Sequence, residues 1–299
     1  MTLSGLFRLW LKLDSSARFL ILTAPVTLFL VLFFVVPLLS ILVVSFWRTD
    51  SYQLIVDWNV NNYREVLTEP SYRTFMIRSL VSALVVSAVC VALAWPIAYF
   101  VIRYGGRYKL LMVLGLAVPF LTGIVLRVIA LQGVLGPIGL LNLSLMKLGL
   151  DPLQSLMYTK TATVVGLIYL YLPFVTTAIY LSLLNFDFKL LDAAKVFGAG
   201  NVRAFWEITW PLNWVGTVIG FALTFVPSLA AAITPRFLGG ANGTLFGLAM
   251  GSQFSATGTW SLGAAMGVVL FFVAAIVLFA ISRMVDIKRS GFTGVGSRD

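Results

Sequence analysis

The chain has 299 residues, of which 60% are apolar and 11% are charged, and its mean hydropathy is +0.99. An ordinary soluble domain is about 25% charged and about 45–50% apolar, so a water-soluble globule is excluded. A disordered chain needs low hydrophobicity and high charge, so disorder is excluded too, and most of this protein lies in lipid. The formal charge of +10 then reports the orientation of the loops, and nucleic acid is not an expected partner.

Residues 1–18 form the first predicted unit, a cytoplasmic amphipathic segment. Its apolar side chains repeat with the spacing of one helix face, and the basic residues Arg8 and Lys12 lie off that stripe. The stripe consists of Leu3, Leu6, Phe7, Trp10 and Leu11. This pattern predicts a short helix on the membrane surface.

Six stretches between residues 19 and 284 are long and apolar enough to cross a bilayer as helices, which takes about 20 residues each. They are Phe19–Phe46, Leu80–Ile102, Leu110–Leu131, Ala162–Leu184, Val215–Thr234 and Leu262–Ile281. Pro119 and Gly123 interrupt the third stretch, and Pro227 and Pro235 interrupt the fifth. The prediction is a six-span domain over 19–284, followed by a cytoplasmic tail over 285–299.

Small residues recur at every fourth position near the fifth and sixth spans. Gly216 with Gly220 and Gly263 with Gly267 permit close helix contacts, either within this chain or with a second subunit. Gly243, Gly247 and Gly251 repeat in the same way just before the sixth span. We expect that last segment to be partly re-entrant.

The distribution of Lys and Arg predicts the orientation. The short loop between the second and third spans carries Arg103, Arg107 and Lys109 and no acid. By the positive-inside rule this loop, and with it both termini, lies in the cytoplasm. The largest segment on the other side, residues 47–78, is expected to contain a short helix around Tyr63–Leu67.

The segment over residues 186–211, between the fourth and fifth spans, predicts a helical elbow. Residues 187–197 suit a helix, which Gly198 and Gly200 would end with positive φ. Asn201 is the expected N-cap of a second helix that ends before Pro211. Ala193 and Ala194 have small side chains that let the surface of another protein approach closely, and Phe197 adds a large apolar side chain beside them. The alternative is an ordinary loop that packs on its own helices.

This segment resembles the EAA loop of binding-protein-dependent ABC importer permeases. In the register of that loop stand Asp192-Ala193-Ala194, Gly198-Ala199, Phe205, Ile208 and Pro211. The departure is Asp192, where the family has Glu. Three further stretches resemble the permeases of spermidine/putrescine-type importers. These are Trp95–Tyr99, Val118–Phe120 with Arg127, and Tyr171–Phe174.

The resemblance implies an all-α membrane protein with the type I ABC importer permease fold, in a bacterial inner membrane. It implies a second permease subunit, two ATPase subunits and a periplasmic binding protein as partners. The residues that it assigns to ATPase coupling are Asp192, Ala193, Ala194, Phe197, Gly198, Ala199 and Pro211. The sequence contains no G-x-x-x-x-G-K-[ST] loop, so ATP and Mg are expected on the ATPase, with no cofactor, metal or catalysis on this chain.

The solute path is less defined by the sequence. Arg127 is the one clear ionisable residue within a predicted span, and either lines the path or serves as an interfacial anchor or interhelix hydrogen-bond donor. The aromatic residues that could contact a cationic solute, or simply pack, are Trp95, Tyr99, Tyr169 and Tyr171. No Asp or Glu lies within the predicted spans. A polyamine-type solute is the first expectation, and a phosphonate or opine-like solute fits Arg127 as well.

Two other classes of protein remain as alternatives. A secondary carrier or channel not coupled to ATP would show inverted repeats or charges in matched halves of the spans. An intramembrane enzyme would need acid–base groups, and the chain has no His.

Overall fold

The computed structural model describes residues 14–152 and 156–293. The amphipathic stripe predicted between Leu3 and Leu11 lies outside the described residues. The first helix begins at Ser15, so the end of the predicted N-terminal unit is continuous with the first span.

The described chain is mostly helical, with one short hairpin. The first span consists of α1 (Ser15–Leu30), a π turn (Val31–Val35) and α2 (Val36–Val44). The antiparallel strands β1 (Arg48–Asp50) and β2 (Gln53–Ile55) follow, with Thr49 opposite Leu54. The next helices are α3 (Asn61–Thr68), α4 (Pro70–Tyr104), α5 (Lys109–Ala117), α6 (Ile124–Leu135), α7 (Leu140–Lys147) and α8 (Lys160–Leu184). The last are α9 (Lys189–Val196), α10 (Asn201–Ala204), α11 (Trp210–Leu212), α12 (Trp214–Leu229), α13 (Phe246–Ser255) and α14 (Trp260–Thr293).

Within the described residues, five helical stretches are long and apolar enough to cross a membrane, and a bent pair of stretches makes a sixth if it is taken as one span. The bent pair joins Asn201–Leu212 to Trp214–Leu229 at an angle of 70°. The second span begins at Pro70, ahead of the predicted Leu80, and the sixth runs on to Thr293, so the predicted tail begins inside a helix. The predicted helix near Tyr63–Leu67 is α3.

The third and fifth spans are broken at Pro119, Gly123 and Pro235, which the sequence indicates as interruptions, whereas the fourth such residue, Pro227, lies inside α12. Between α5 and α6 the chain forms a 3-10 turn over Val118–Leu121, and Thr122 and Gly123 are extended. The fifth span ends as an α-helix at Leu229 rather than Thr234, and a π turn follows over Pro235–Gly239. Proline lacks the N–H that would continue a helix, and such breaks are tolerated in membranes where protein or a wet cavity satisfies the freed backbone groups.

The centre of the fold is formed by α4, α8 and α12. A Cβ on Gly216 would lie 2.2 Å from the Cβ of Ser182, and one on Gly220 would lie 2.9 Å from Cγ1 of Val175. These two glycines therefore let α12 approach α8 closely within the subunit. Gly263 does the same between α14 and α13, since its Cβ would lie 2.8 Å from the ring of Phe254.

The segment predicted to be re-entrant forms α13, which has 10 residues and is too short to cross a bilayer alone. Ser79 of α4 accepts a hydrogen bond of 2.8 Å from the backbone N–H of Phe246 and so satisfies a donor at the start of α13. Gly247 lies against the backbone carbonyl of Ala230, 2.3 Å from where its Cβ would stand. This contact places α13 beside the break in the fifth span.

Candidate functional site: the elbow and two cavities

The elbow, residues 186–211, turns at Gly198. The backbone N–H of Gly198 donates to the carbonyl of Lys195 (2.9 Å), and that of Ala199 donates to the carbonyl of Ala194 (3.0 Å). These two bonds form a Schellman motif that ends α9, and Gly198 has the φ of +83° that the motif requires. The predicted stop at Gly198 is confirmed.

The second half of the elbow differs from the prediction. Gly200 has a φ of −70° and occupies the N-cap position, so Asn201 is the first helical residue. The helix continues through Pro211, because a π turn over Phe205–Thr209 widens the backbone just before the proline. The wider turn lets the helix continue past Pro211, although proline has no N–H to donate to the preceding turn.

Asn213 forms the bend between the elbow and the fifth span. Its side-chain amide donates to the carbonyl of Thr209 (2.9 Å), and its side-chain oxygen accepts from the hydroxyl of Ser182 (3.1 Å). Asn213 is buried. Its first bond satisfies a backbone carbonyl at the bend, and its second bond connects the bend to α8. The sequence analysis missed this residue, although a polar residue directly after Trp-Pro-Leu is a signal for a helix break.

The tip of the elbow carries apolar side chains that face away from the rest of the chain. Phe197 is 91% exposed and Val196 is 85% exposed, and Val202 across the turn is also exposed. Ala193 is exposed and Ala194 half-buried beside them. Clustered exposed apolar residues of this kind are typical of surfaces that contact another protein or a membrane.

Asp192 is bound to the second span. Nη2 of Arg103, near the end of α4, lies 3.5 Å from Oδ1 of Asp192. The Arg103 guanidinium also lies 5.3 Å from the ring centroid of Phe188, which precedes α9. In the sequence, Arg103 indicates only the orientation of its loop, because a contact between residues this far apart in the chain leaves no local pattern.

Trp95 and Tyr99 line an aromatic cavity of about 750 Å³ between α4, α12, α14 and the elbow. Its other aromatic walls are Phe205, Trp206, Trp210, Trp214 and Phe221. Trp95 is 3% exposed, donates a hydrogen bond of 3.1 Å to the hydroxyl of Thr217, and lies 5.2 Å from the Trp210 ring. Trp95 therefore joins the second span, the elbow and the fifth span.

A second cavity, of about 640 Å³, lies where the two broken spans meet α13, and we call it the break cavity. It is lined by Val125, Ala232, Ile233, Arg236, Phe237, Leu248, Gly251, Ser252, Ser255 and Ala256. Broken helices around a cavity are typical of substrate sites in transporters. Arg236 lies beyond the predicted end of the fifth span at Thr234, so the sequence does not indicate that it lines this cavity.

The five predicted path residues lie outside the break cavity. Arg127 is 9% exposed in the first turn of α6, and its Nε and Nη1 have no hydrogen-bond partner among residues 14–152 and 156–293. Tyr171 is half-buried 6.2 Å from Phe174 and lies within electrostatic range of Arg127. Tyr169 is exposed on α8. The structure brings Trp95 and Tyr99 together, and Arg127 near Tyr171.

Comparison with known proteins identifies the family. The profile of the family described as "binding-protein-dependent transport system inner membrane component" matches residues 90–290, which include both cavities' main walls and the elbow. The chain belongs to this family. It is therefore the non-catalytic, multi-pass inner-membrane permease subunit of an ABC importer, and ATP hydrolysis belongs to a separate subunit.

Similar proteins cover nearly the whole chain. The chain is 32% identical over 251 residues to the spermidine/putrescine transport system permease protein PotB of Escherichia coli (strain K12), covering 83% of this chain and 91% of the relative. It is 26% identical over 281 residues to the inner membrane ABC transporter permease protein YdcU of the same organism, covering 89% of each. A chain of a bacterial ABC transporter involved in the import of the acidic polysaccharide alginate has the same fold, with a TM-score of 0.70 at 15% identity over 95% of this chain and 99% of that chain.

The predicted fold class is confirmed by these comparisons and by the helices described above. The alternative of a carrier or channel not coupled to ATP is excluded by the family. Among the described residues, no group of three or more His, Cys, Asp and Glu is placed to hold a metal ion.

Proposed function

We propose that this chain pairs with a second permease, rests on two ATPase subunits through the elbow, and accepts solute from a periplasmic binding protein. The exposed tip formed by Val196, Phe197 and Val202 is the observation that carries this proposal, because it is an exposed apolar surface next to the small residues Ala193 and Ala194. The residues assigned to the contact are Asp192, Ala193, Ala194, Phe197, Gly198, Ala199 and Pro211. Of these, Asp192 and Gly198 shape the elbow, and Phe197 enters the partner.

The same proposal includes the orientation, with both termini in the cytoplasm. The loop over residues 103–109 and the elbow lie on one side of the molecule, since Arg103 contacts Asp192. The hairpin lies on the other side, where the hydroxyl of Thr49 is 2.7 Å from that of Ser261 at the start of α14. The positive-inside rule supports the cytoplasm as the location of the elbow side.

We propose that the solute is a small aliphatic amine of the polyamine type, which passes beside this subunit at the break cavity. Support comes from the names of the relatives, which are permeases of spermidine/putrescine transport systems. The hydroxyls of Ser252 and Ser255 offer hydrogen-bond acceptors to an amine in this cavity, whose described lining residues include Arg236 and no acid. The carboxylates that balance the charge of the amine then come from the partner permease.

A second candidate is an amine that also carries a carboxylate or phosphonate group. Arg236 lines the break cavity, and Arg127 is a buried guanidinium with two donor nitrogens that have no partner among the described residues. A buried charge normally binds an opposite charge, and guanidinium groups bind carboxylate and phosphonate groups through paired hydrogen bonds.

An uptake experiment distinguishes the two solute candidates, and a co-purification experiment tests the docking of the ATPase. The importer, expressed with its natural partner subunits and binding protein, is assayed in cells with labelled putrescine, spermidine, 4-aminobutyrate and 2-aminoethylphosphonate. ATP-dependent uptake of putrescine or spermidine alone supports the polyamine class, and uptake of only the acid-bearing amines supports the second candidate. An ATPase that no longer co-purifies when Phe197 is replaced by Glu supports the docking role of the elbow independently of the solute.

A further inference from the structure

The aromatic cavity lies at the depth of one leaflet of the bilayer. Tyr99 and Trp95 stand in the last turns of α4, Trp210 and Trp214 mark the start of the fifth span, and Ile281 lies toward the end of the sixth. All these helix ends are on the elbow side, which the proposed orientation makes cytoplasmic. Tryptophan is enriched at this depth because its ring is apolar and its N–H is polar.

The chemistry of the walls fits an apolar occupant. Among the described residues that line the cavity, none is charged. The indole N–H of Trp95 and the hydroxyl of Thr217 already bind each other, and that hydroxyl donates to the carbonyl of Asn213. A polyamine in this cavity would lose hydration without gaining a carboxylate, whereas a hydrocarbon chain would lose nothing. The volume of about 750 Å³ lies within the usual range for ligand pockets.

A cationic group lies next to the cavity. Arg103 follows Tyr99 by one helical turn on the same face of α4, and the ion pair that its Nη2 makes with Asp192 leaves further N–H donors available. Arg283 stacks on the ring of Phe279, 5.0 Å from its centroid, and so points away from Ile281, the cavity-lining residue two positions before it. Guanidinium groups at headgroup depth complement the phosphate of a phospholipid.

We propose that the aromatic cavity binds one acyl chain of a phospholipid from the leaflet on the elbow side, with the phosphate near Arg103. Trp95 and Tyr99 belong to the second span, whereas Trp206 and Trp210 belong to the elbow. The acyl chain thus fills the space between α4 and the elbow. This role concerns lipid and is independent of which solute the importer carries.

Quenching of Trp95 by brominated lipid tests the proposal. The complete importer is placed in nanodiscs whose phospholipids carry bromine in the middle of their acyl chains, and the contribution of Trp95 to the fluorescence is obtained from the Trp95→Phe variant. Trp95 is buried against α12 and the elbow and forms part of the cavity wall, so quenching of this contribution by a chain inside the cavity is the expected result. An unquenched Trp95 would overturn the proposal, including the case in which a partner subunit fills the cavity.

A pair of alanine variants provides the control. Ala92→Phe places a ring in the cavity and is expected to abolish the quenching of Trp95. Ala280→Phe adds the same ring at an exposed position near the elbow-side end of α14, outside the cavity walls, and is expected to leave the quenching unchanged. Equal effects of both variants would overturn the proposal. If Trp95→Phe does not assemble, native mass spectrometry decides: Ala92→Phe must retain one phospholipid fewer than the unmodified importer, and equal retention contradicts the binding site.

Discussion

Arg103 and Asp192 are joined by an ion pair of 3.5 Å that links the end of the second span to the first residue of the EAA-like motif. The shorter arm of Asp192, compared with the family's Glu, still reaches a cation, and that cation belongs to the same subunit. The elbow is thus fastened to the membrane helix that also carries Trp95 and Tyr99.

Reversing one charge of this pair is expected to impair coupling more than stability. The side chains of Arg103 and Asp192 are 35% and 60% exposed, so Arg103→Asp should cost no more than about 1 kcal/mol in unfolding. Transport per ATP hydrolysed should fall, and the double variant Arg103→Asp with Asp192→Arg should restore it. The matched control is Arg48→Asp, which breaks a 3.2 Å pair with Asp50 on the opposite side. If the double variant transports no better than the single one, the pair does not position the elbow.

Two glycines in the elbow should respond differently to alanine. Gly198→Ala forces a Cβ into a left-handed conformation and should cost about 1–2 kcal/mol at the turn, which lowers ATPase association. Gly200→Ala keeps a φ of −70° and meets open space, so it should be tolerated. Co-purification of the ATPase with each variant is the measurement. Equal loss in both variants would contradict the role of the Schellman turn.

Phe197→Glu should remove ATPase binding without unfolding the permease. The ring is 91% exposed, so the substitution costs little in this chain, while a carboxylate in an apolar partner groove is strongly disfavoured. Trp58→Glu is the control, since Trp58 is a large exposed apolar residue outside the elbow. The two variants are compared by melting temperature in detergent and by the amount of ATPase that co-purifies. Retention of the ATPase by Phe197→Glu would show that the Phe197 side chain does not bind the ATPase.

Asn213→Leu should destabilise the bend. It removes the hydrogen bonds to the Thr209 carbonyl and the Ser182 hydroxyl at a buried site, where interhelix hydrogen bonds in membranes contribute about 0.6 kcal/mol and up to about 1.7 kcal/mol. Ser182→Ala loses only the second bond and should lower the melting temperature less. A larger loss from Ser182→Ala than from Asn213→Leu would contradict this account.

The charge of Arg236 should be measurable at the break cavity without knowledge of the solute. In a Cys90→Ala background, which removes the one cysteine of the chain, Ser252→Cys should react faster with an anionic than with a cationic methanethiosulfonate. Arg236→Gln should reduce or reverse that preference, because it removes the charged group among the described lining residues. A preference for the cationic reagent in the presence of Arg236 would argue against the second solute candidate.

The sequence predicts those features that depend on neighbours along the chain. The apolar stretches indicate the spans, and the Gly198 turn follows from local backbone preference. The π turn before Pro211 has no such signal, because it depends on how the helix accommodates a proline already inside it. Arg103, Asn213 and Arg236 acquire their roles from residues on other helices, and a single sequence carries no record of those pairs.

The bend at Asn213 joins the second helix of the elbow and the fifth span as two arms of a lever. The arm from Asn201 to Leu212 is about 18 Å long and the arm from Trp214 to Leu229 is about 24 Å long, at 1.5 Å per residue. If an ATPase docks at the elbow as proposed, a push on the short arm along the membrane normal would swing the long arm sideways, because the arms meet at 70°. The far end of the long arm is Leu229, near Ala232 of the break cavity, so such a push would displace the cavity wall laterally.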